Sequence, residues 1–322
     1  MATCIRPEAD VPVASAVRHF LLDRLAAFDQ TASLLSEADR GTVIDAVHDS
    51  RVICRQIISV IDAFTPYLRA KRLQAIKRRI RRINGYLGPL RDLDILLSRH
   101  ELDACLRERL EIKREKALST LLEVCSGSEL HESVDSLIRP LQLPDADMKL
   151  SPADVTAKGR VQMRLLGQVV PEVLYRLAVD ITAYQTILRQ SDSPVLQPMP
   201  LLFWQDLSLP APDMLHRLRI SCKRFRYTLT MLRPLFGEQS DPFIEAFKEL
   251  QDILGHLHDE QMLARTIAGK KKTAANGISD TAVWASIQAT YFKILDEFFI
   301  LWPQRDLTWF HHQIQALLDT IM

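Results

Sequence analysis

Glycine is scarce in this chain, ten in 322 residues. That scarcity argues against a β sandwich stitched together by glycine turns and against a phosphate loop built on repeated Gly. Cysteine is also sparse. The five present (Cys4, Cys54, Cys105, Cys125, Cys222) are odd in number and include no CxxC pair. They offer neither a disulfide framework nor a zinc knuckle, and they suit a reducing compartment. There is no long apolar run. The greasiest late stretch, Val283 to Trp302, carries Gln288, Lys293, Asp296 and Glu297, so it reads as a buried amphipathic helix instead of a membrane span. The first fifteen residues, MATCIRPEADVPVAS, lack the apolar centre of a secretory leader. The expectation is a soluble cytoplasmic protein. Net charge is only +1, so any polyion partner must be sought in how charges are distributed.

What is present is an ordinary globular mixture, 47% hydrophobic and 25% charged, which excludes general disorder and a fibrous repeat. The length exceeds one ordinary core and predicts two domains or one large duplicated one. Hydrophobic spacing is helical almost everywhere. Leu73, Ile76, Ile80, Ile83, Leu87 and Leu90 form an i, i+3, i+4 stripe. Comparable stripes run through 14–35, 42–64, 91–125, 160–190, 213–233, 242–256, 281–302 and 306–321. Pro66, Gly88-Pro89, Pro234, Gly237, Pro242 and Pro303 fall between stripes as expected breaks. No alternating segment is long enough to seed a sheet. The fold class is all-α.

An internal repeat carries more information than any single helix. HDSRVICR from His48 matches HRLRISCK from His216 at an offset of 168, and RRINGYLGPLRD at 81–92 matches KELQDILGHLHD at 248–259 at an offset of 167. Two matches in the same order imply duplicated helical units. Residues 1–13 then form a tail, 14–190 a first bundle, 191–212 a proline-rich connector and 213–322 a second bundle. Residues 139–158, with Pro140, Pro144 and Pro152, read as a loop.

The cations have a pattern of their own. On a wheel of about 100° per residue centred on Cys54, Val47, Ile53, Ile57, Ile58, Val60, Ile61 and Phe64 fill the apolar arc. Arg51, Arg55 and His48 stand together on one flank of it. Around Cys222 the arc is Leu215, Leu218, Phe225, Leu229 and Leu232, and His216, Arg219 and Lys223 repeat the flank with Arg226 beside the core. On the helix through Ile80, Lys77 and Arg81 border the stripe, with Arg78 and Arg82 pointing further back. Between Ala63 and Arg91 there are nine Lys/Arg and no acid, and between His216 and Tyr227 five more.

Any one of these could simply snorkel along the edge of an amphipathic helix. As a set they have no local acids to pair with and repel one another, which favours a multivalent anion as countercharge. Arg predominates, and its planar fork suits phosphate oxygens. Single-strand binders interleave aromatics for stacking, whereas only Tyr67, Tyr86 and Tyr227 accompany these cations. A phosphate chain without bases fits better than nucleic acid, which stays as the alternative.

These residues resemble the CHAD family, the conserved-histidine α-helical domains. The resemblance rests on H48-D-S-R51-V-I-C-R55 and L87-G-P-L-R91-D92-L-D94, then on L215-H216-R-L-R219-I-S-C-K223-R-F-R226-Y227 and L250-Q251-D252-I-L254-G255-H-L-H258-D259, and it spans roughly 14–320. It implies two pseudo-symmetric bundles whose basic faces meet at a groove or pore, inorganic polyphosphate as partner and localisation to polyphosphate granules. Carried over residue by residue, His48, Arg51, Arg55, Lys77, Arg81 and Arg91 become first-half ligands, and His216, Arg219, Lys223 and Arg226 second-half ligands. Arg78 and Arg82 are secondary candidates. Asp92 and Asp259 orient or cap neighbouring groups, a helix N-terminal role being the plain reading of Asp92. The acid-containing EAFKEL (245–250) stands where the first half has its basic run, so the site is expected to be lopsided.

An enzyme would need more. The His48-Asp49 and His258-Asp259 doublets superficially suggest a metal-dependent phosphohydrolase. Adjacent residues diverge by about 100° on a helix, however, and no second acidic cluster accompanies them. The expectation is a non-catalytic protein with no metal or cofactor.

Overall fold

The computed structural model describes residues 9–37, 39–68, 70–100, 102–126, 164–185, 188, 212–271 and 280–321. These form α1 (Val13–Ser33), α2 (Arg40–Phe64), α3 (Ala70–Leu97), α4 (Ala104–Ser126), α5 (Leu166–Thr182), α6 (Pro212–Phe236), α7 (Asp241–Lys271), α8 (Asp280–Leu301) and α9 (Leu307–Leu318). No strand occurs among the described residues, only an isolated bridge between Pro12 and Leu165. The fold is all-α. The expected loop at 139–158 and all of the expected connector at 191–212 but its last residue, which opens α6, lie outside the described residues.

Local sequence accounts for several boundaries. Asp39 caps α2, accepting from the Thr42 N–H at 2.7 Å and its hydroxyl at 2.8 Å. Those bonds hold the Asp39 carboxyl below its ordinary pKa. Asp103 and Asp306 accept from the N–H groups of Leu106 and Trp309 at the starts of α4 and α9. At the other end of α3, Arg107 donates to the carbonyls of Leu97 and Arg99, both at 2.7 Å.

Two expected breaks are absent. Gly88-Pro89 does not end a helix, since α3 runs from Ala70 to Leu97 with Pro89 inside it. Pro89 and Gly85 are both exposed, so the carbonyl that loses its partner at residue i−4 can be hydrated. Leu87 and Leu90 on the opposite face are fully buried, and burying each contributes about 1.5–3 kcal/mol toward keeping the helix continuous. Pro234 similarly lies within the last turn of α6. The chain leaves that helix at Gly237, whose φ of 63° is left-handed.

The chain divides into two compact units. Unit 1 comprises 1–173, 227–237 and Ile321, and unit 2 comprises 174–226, 238–320 and Met322. In unit 1, α2 packs against α1 and α3, and α3 against α4. Its core is Val17, Leu21 and Leu25 of α1, Val47, Cys54, Ile57 and Phe64 of α2, and Ile80, Leu87 and Leu90 of α3, all fully buried. The whole expected α3 stripe is buried, and Ile58 of α2, expected in the core, is only half-buried.

In unit 2, α7 packs against α8. An aromatic cluster fixes its centre, with Phe225 stacked on Phe247 at 4.5 Å between ring centroids and edge-on to Phe243 at 5.3 Å and Phe310 at 5.6 Å.

Candidate anion site

In unit 1 the site is built on the adjoining faces of α2 and α3. Core burial of Cys54, Ile57, Leu87 and Leu90 fixes both helices in rotation, so the flank beside that core has little freedom. Arg51 crosses from α2 to α3. Its Nη1 donates to the carbonyl of Gly88 at 3.1 Å and to Asp92 Oδ1 at 3.0 Å. The Arg51 side chain is 14% exposed and that of Asp92 43%. One turn before Arg51, His48 is held below its ordinary pKa, first by partial burial and then by the positive charges of Arg91 and Arg51. His48, Arg51 and Arg91 therefore form one electrostatic cluster, assembled from residues 43 positions apart in the chain.

The other first-half candidates separate into two groups. Arg78, Arg81 and Arg82 are exposed, and with half-buried Arg91 they engage in no ion pair among the described residues. Lys77 is different. It is buried and ion-paired with Asp62 of α2, the two side chains 10% and 18% exposed. Arg55 is half-buried and has a further interaction of its own.

The acid-free windows thus do not mean uncompensated charge throughout. Packing brings Asp62 to Lys77 across 15 residues and Asp92 to Arg51 across 41. In the second basic run Arg224 lies 3.6 Å from Asp180. A sequence window registers acids that are neighbours along the chain, and tertiary contacts supply the rest. The helix N-terminal role for Asp92 is also excluded, since it lies well inside α3.

In unit 2, α6 carries His216, Arg219, Lys223 and Arg226, and α7 carries the Leu-Gly turn and His258. The imidazoles of His216 and His258 are in ring contact, centroids 5.2 Å apart. A Cβ placed on Gly255 would meet Arg219 Nη2 at 3.9 Å as its nearest neighbour. At the position the repeat aligns with Gly255, Arg51 instead bonds the Gly88 carbonyl, and a Cβ on Gly88 would meet nothing within 4 Å. Arg219, Lys223 and Arg226 are half-buried and His216 exposed, and each makes further interactions.

Cys54 and Cys222, which the repeat aligns, are both fully buried. Burial pushes the Cys54 thiol up to about 12 and raises Cys222 as well, so both are packing groups and not nucleophiles. Sequence reasoning missed Asp62, the Gly88 carbonyl and the buried Gln251 amide, which donates to the Cys222 carbonyl at 3.0 Å. Gln251 was visible only as a letter in the Leu-Gly motif. Nothing in the sequence marked Asp62.

Among the described residues no group of three or more His, Cys, Asp or Glu is placed to hold a metal ion, and no helix is long and apolar enough to cross a membrane.

No curated protein sequence matches the chain. Among solved structures, PptA from Streptomyces chartreusis has a similar fold, with a TM-score of 0.66 at 16% identity, covering 91% of this chain and 100% of that one. A family model described as the CHAD domain matches residues 23–268, which takes in α2, α3, α6 and most of α7. With the repeated motifs on those four helices, this match shows that the chain belongs to the CHAD domain family.

Proposed function

We propose that the protein binds inorganic polyphosphate without catalysing its turnover, through the basic α2–α3 face of unit 1 and the α6 face of unit 2. The observation that carries this reading is the row of arginines on α3. Arg78, Arg81, Arg82 and Arg91 are without an ion pair among the described residues, and the last of them, Arg91, acts on His48 together with an Arg51 fixed by α3. From Arg81 to Arg91 the helix rises about 15 Å, enough to meet several successive phosphates. Family membership supports the same ligand class.

The mechanism is multivalent electrostatic capture. Several charge-assisted Arg–phosphate bonds form together, with release of counterions from the polyanion. Lys77 has no part in it, because reaching a phosphate would break its pairing with half-buried Asp62 and draw its own buried ammonium out of the α2–α3 seam. Recruitment to polyphosphate granules follows from the same contacts.

A titration against long polyphosphate, short oligophosphates, single-stranded DNA and double-stranded RNA tests the reading. Affinity is expected to rise with phosphate chain length and to fall steeply with salt. Equal affinity for DNA would replace it with a nucleic-acid module, and phosphate release on adding Mg²⁺ or Mn²⁺ would replace it with a hydrolase. Arg51→Ala combined with Arg219→Ala should weaken binding at least tenfold, given about 1.5–3 kcal/mol for a hydrogen bond to a charged group, and leave helicity intact. Unchanged affinity would remove both positions from the site.

A further inference from the structure

An acid in the middle of an anion site needs an explanation. Asp92 sits on α3 one residue from Arg91 and bonds Arg51 at 3.0 Å, yet its negative charge repels any phosphate that Arg51 attracts. Resting on the polyphosphate reading, we infer that Asp92 is a positioning residue, one that fixes which edge of the Arg51 guanidinium meets the anion.

Guanidinium has five N–H donors in a rigid fork. The two on Nη1 are taken by Gly88 O and Asp92 Oδ1, at 3.1 and 3.0 Å. Both acceptors belong to α3, so the planar head is held at two points on one side. Of the remaining donors, Nε–H and one N–H of Nη2 lie side by side along the edge facing away from Nη1, which has the spacing for bidentate phosphate recognition. They have no partner among the described residues. Gly88 O alone would hold the head at a single point and leave it free to turn. Asp92 removes that freedom before the ligand arrives, at the expense of one unit of opposing charge. The two contributions have opposite signs, and that makes them separable.

Asp92→Asn keeps the Oδ1 acceptor and deletes the charge. Asp92→Ala deletes both. For long-chain polyphosphate at fixed salt, Asp92→Asn is expected to bind about two- to fivefold more tightly than the unaltered protein. Asp92→Ala is expected to bind about fivefold more weakly than Asp92→Asn, the effect of one lost orienting hydrogen bond. In an Arg51→Ala background the two Asp92 variants should bind alike, because there is no guanidinium left to orient. Thermal melting by circular dichroism accompanies each variant, and Asp92→Ser repeats the loss of reach if the alanine variant melts early. Equal affinity of the Asn and Ala variants with Arg51 intact would overturn the inference and leave Asp92 as a countercharge only. So would a difference between them that survives removal of Arg51. If the unaltered protein itself fails to bind polyphosphate, the functional reading fails and this inference falls with it, a result distinct from either of the others.

Discussion

His48 is the residue at which the site should respond to pH. Partial burial of an otherwise exposed residue and the charges of Arg91 and Arg51 hold its pKa below the ordinary imidazole value in the free protein. A bound polyanion would reverse the sign of the local potential and raise that pKa. The bound form then carries more protons than the free form, so binding takes up a proton and tightens as pH falls through the window between the two values. Polyphosphate affinity measured across pH 5–8 should therefore rise toward the acid side, and His48→Ala should flatten the response. An imidazole resonance of His48 that moves to higher pKa on adding polyphosphate would be the direct evidence, and no movement would separate His48 from the ligand. Arg51, by contrast, stays charged throughout this range, so it contributes affinity and no pH dependence.

At the scale of elements, α3 bears both the strongest agreement and the clearest departure between sequence and structure. Its stripe from Leu73 to Leu90 is buried as the period-3.6 spacing requires, because apolar periodicity reports which face meets the core. The Gly88-Pro89 break did not materialise, because a proline on an exposed helix face removes one hydrogen bond that water replaces, while the buried face holds the helix together. Punctuation rules are local, and core burial outweighs them here. The glycines on this helix lead to a further expectation. A Cβ at Gly85 or Gly88 would meet nothing within 4 Å, so neither is kept small by packing within the described protein. Gly88→Ala should raise stability by about 0.5–1 kcal/mol through helix propensity, visible as a higher midpoint in thermal or urea unfolding. A lower midpoint would mean that α3 depends on its flexibility at this point. In unit 2, Phe225 is the corresponding core anchor, stacked on Phe247 and edge-on to Phe243 and Phe310. Phe225→Ala should cost about 3–5 kcal/mol, the range for deleting a large buried aromatic, read as a shift in urea midpoint, and a loss below 1 kcal/mol would show that the cluster repacks around the gap.

For the whole molecule, net charge near zero conceals a segregation of cations along the chain, and the salt dependence of binding is its measurable form. Each arginine that neutralises a phosphate contributes slightly less than one to the slope of log affinity against log salt. Arg81→Gln should therefore reduce that slope by about one and weaken binding to all polyphosphate lengths long enough to reach it. An unchanged slope would take Arg81 out of the contact set. The sequence made the fold class, the buried stripes and the shared flank of His48 and Arg51 on α2 legible, because each follows from helical geometry applied to a single segment or a repeated one, whereas Arg91 entered the site only through the family resemblance. What it could not convey is pairing between segments. Lys77 looked like its neighbour Arg81 on the wheel, and only the approach of Asp62 from α2 separates a sealed cation from an exposed one. That seal has a practical use. An amine-acylating reagent will mark exposed lysines at once and spare Lys77 until the α2–α3 seam parts. The slow modification of this single side chain would thus time the breathing of unit 1, and its protection or loss on adding a ligand would show whether the seam is clamped or loosened by what it holds.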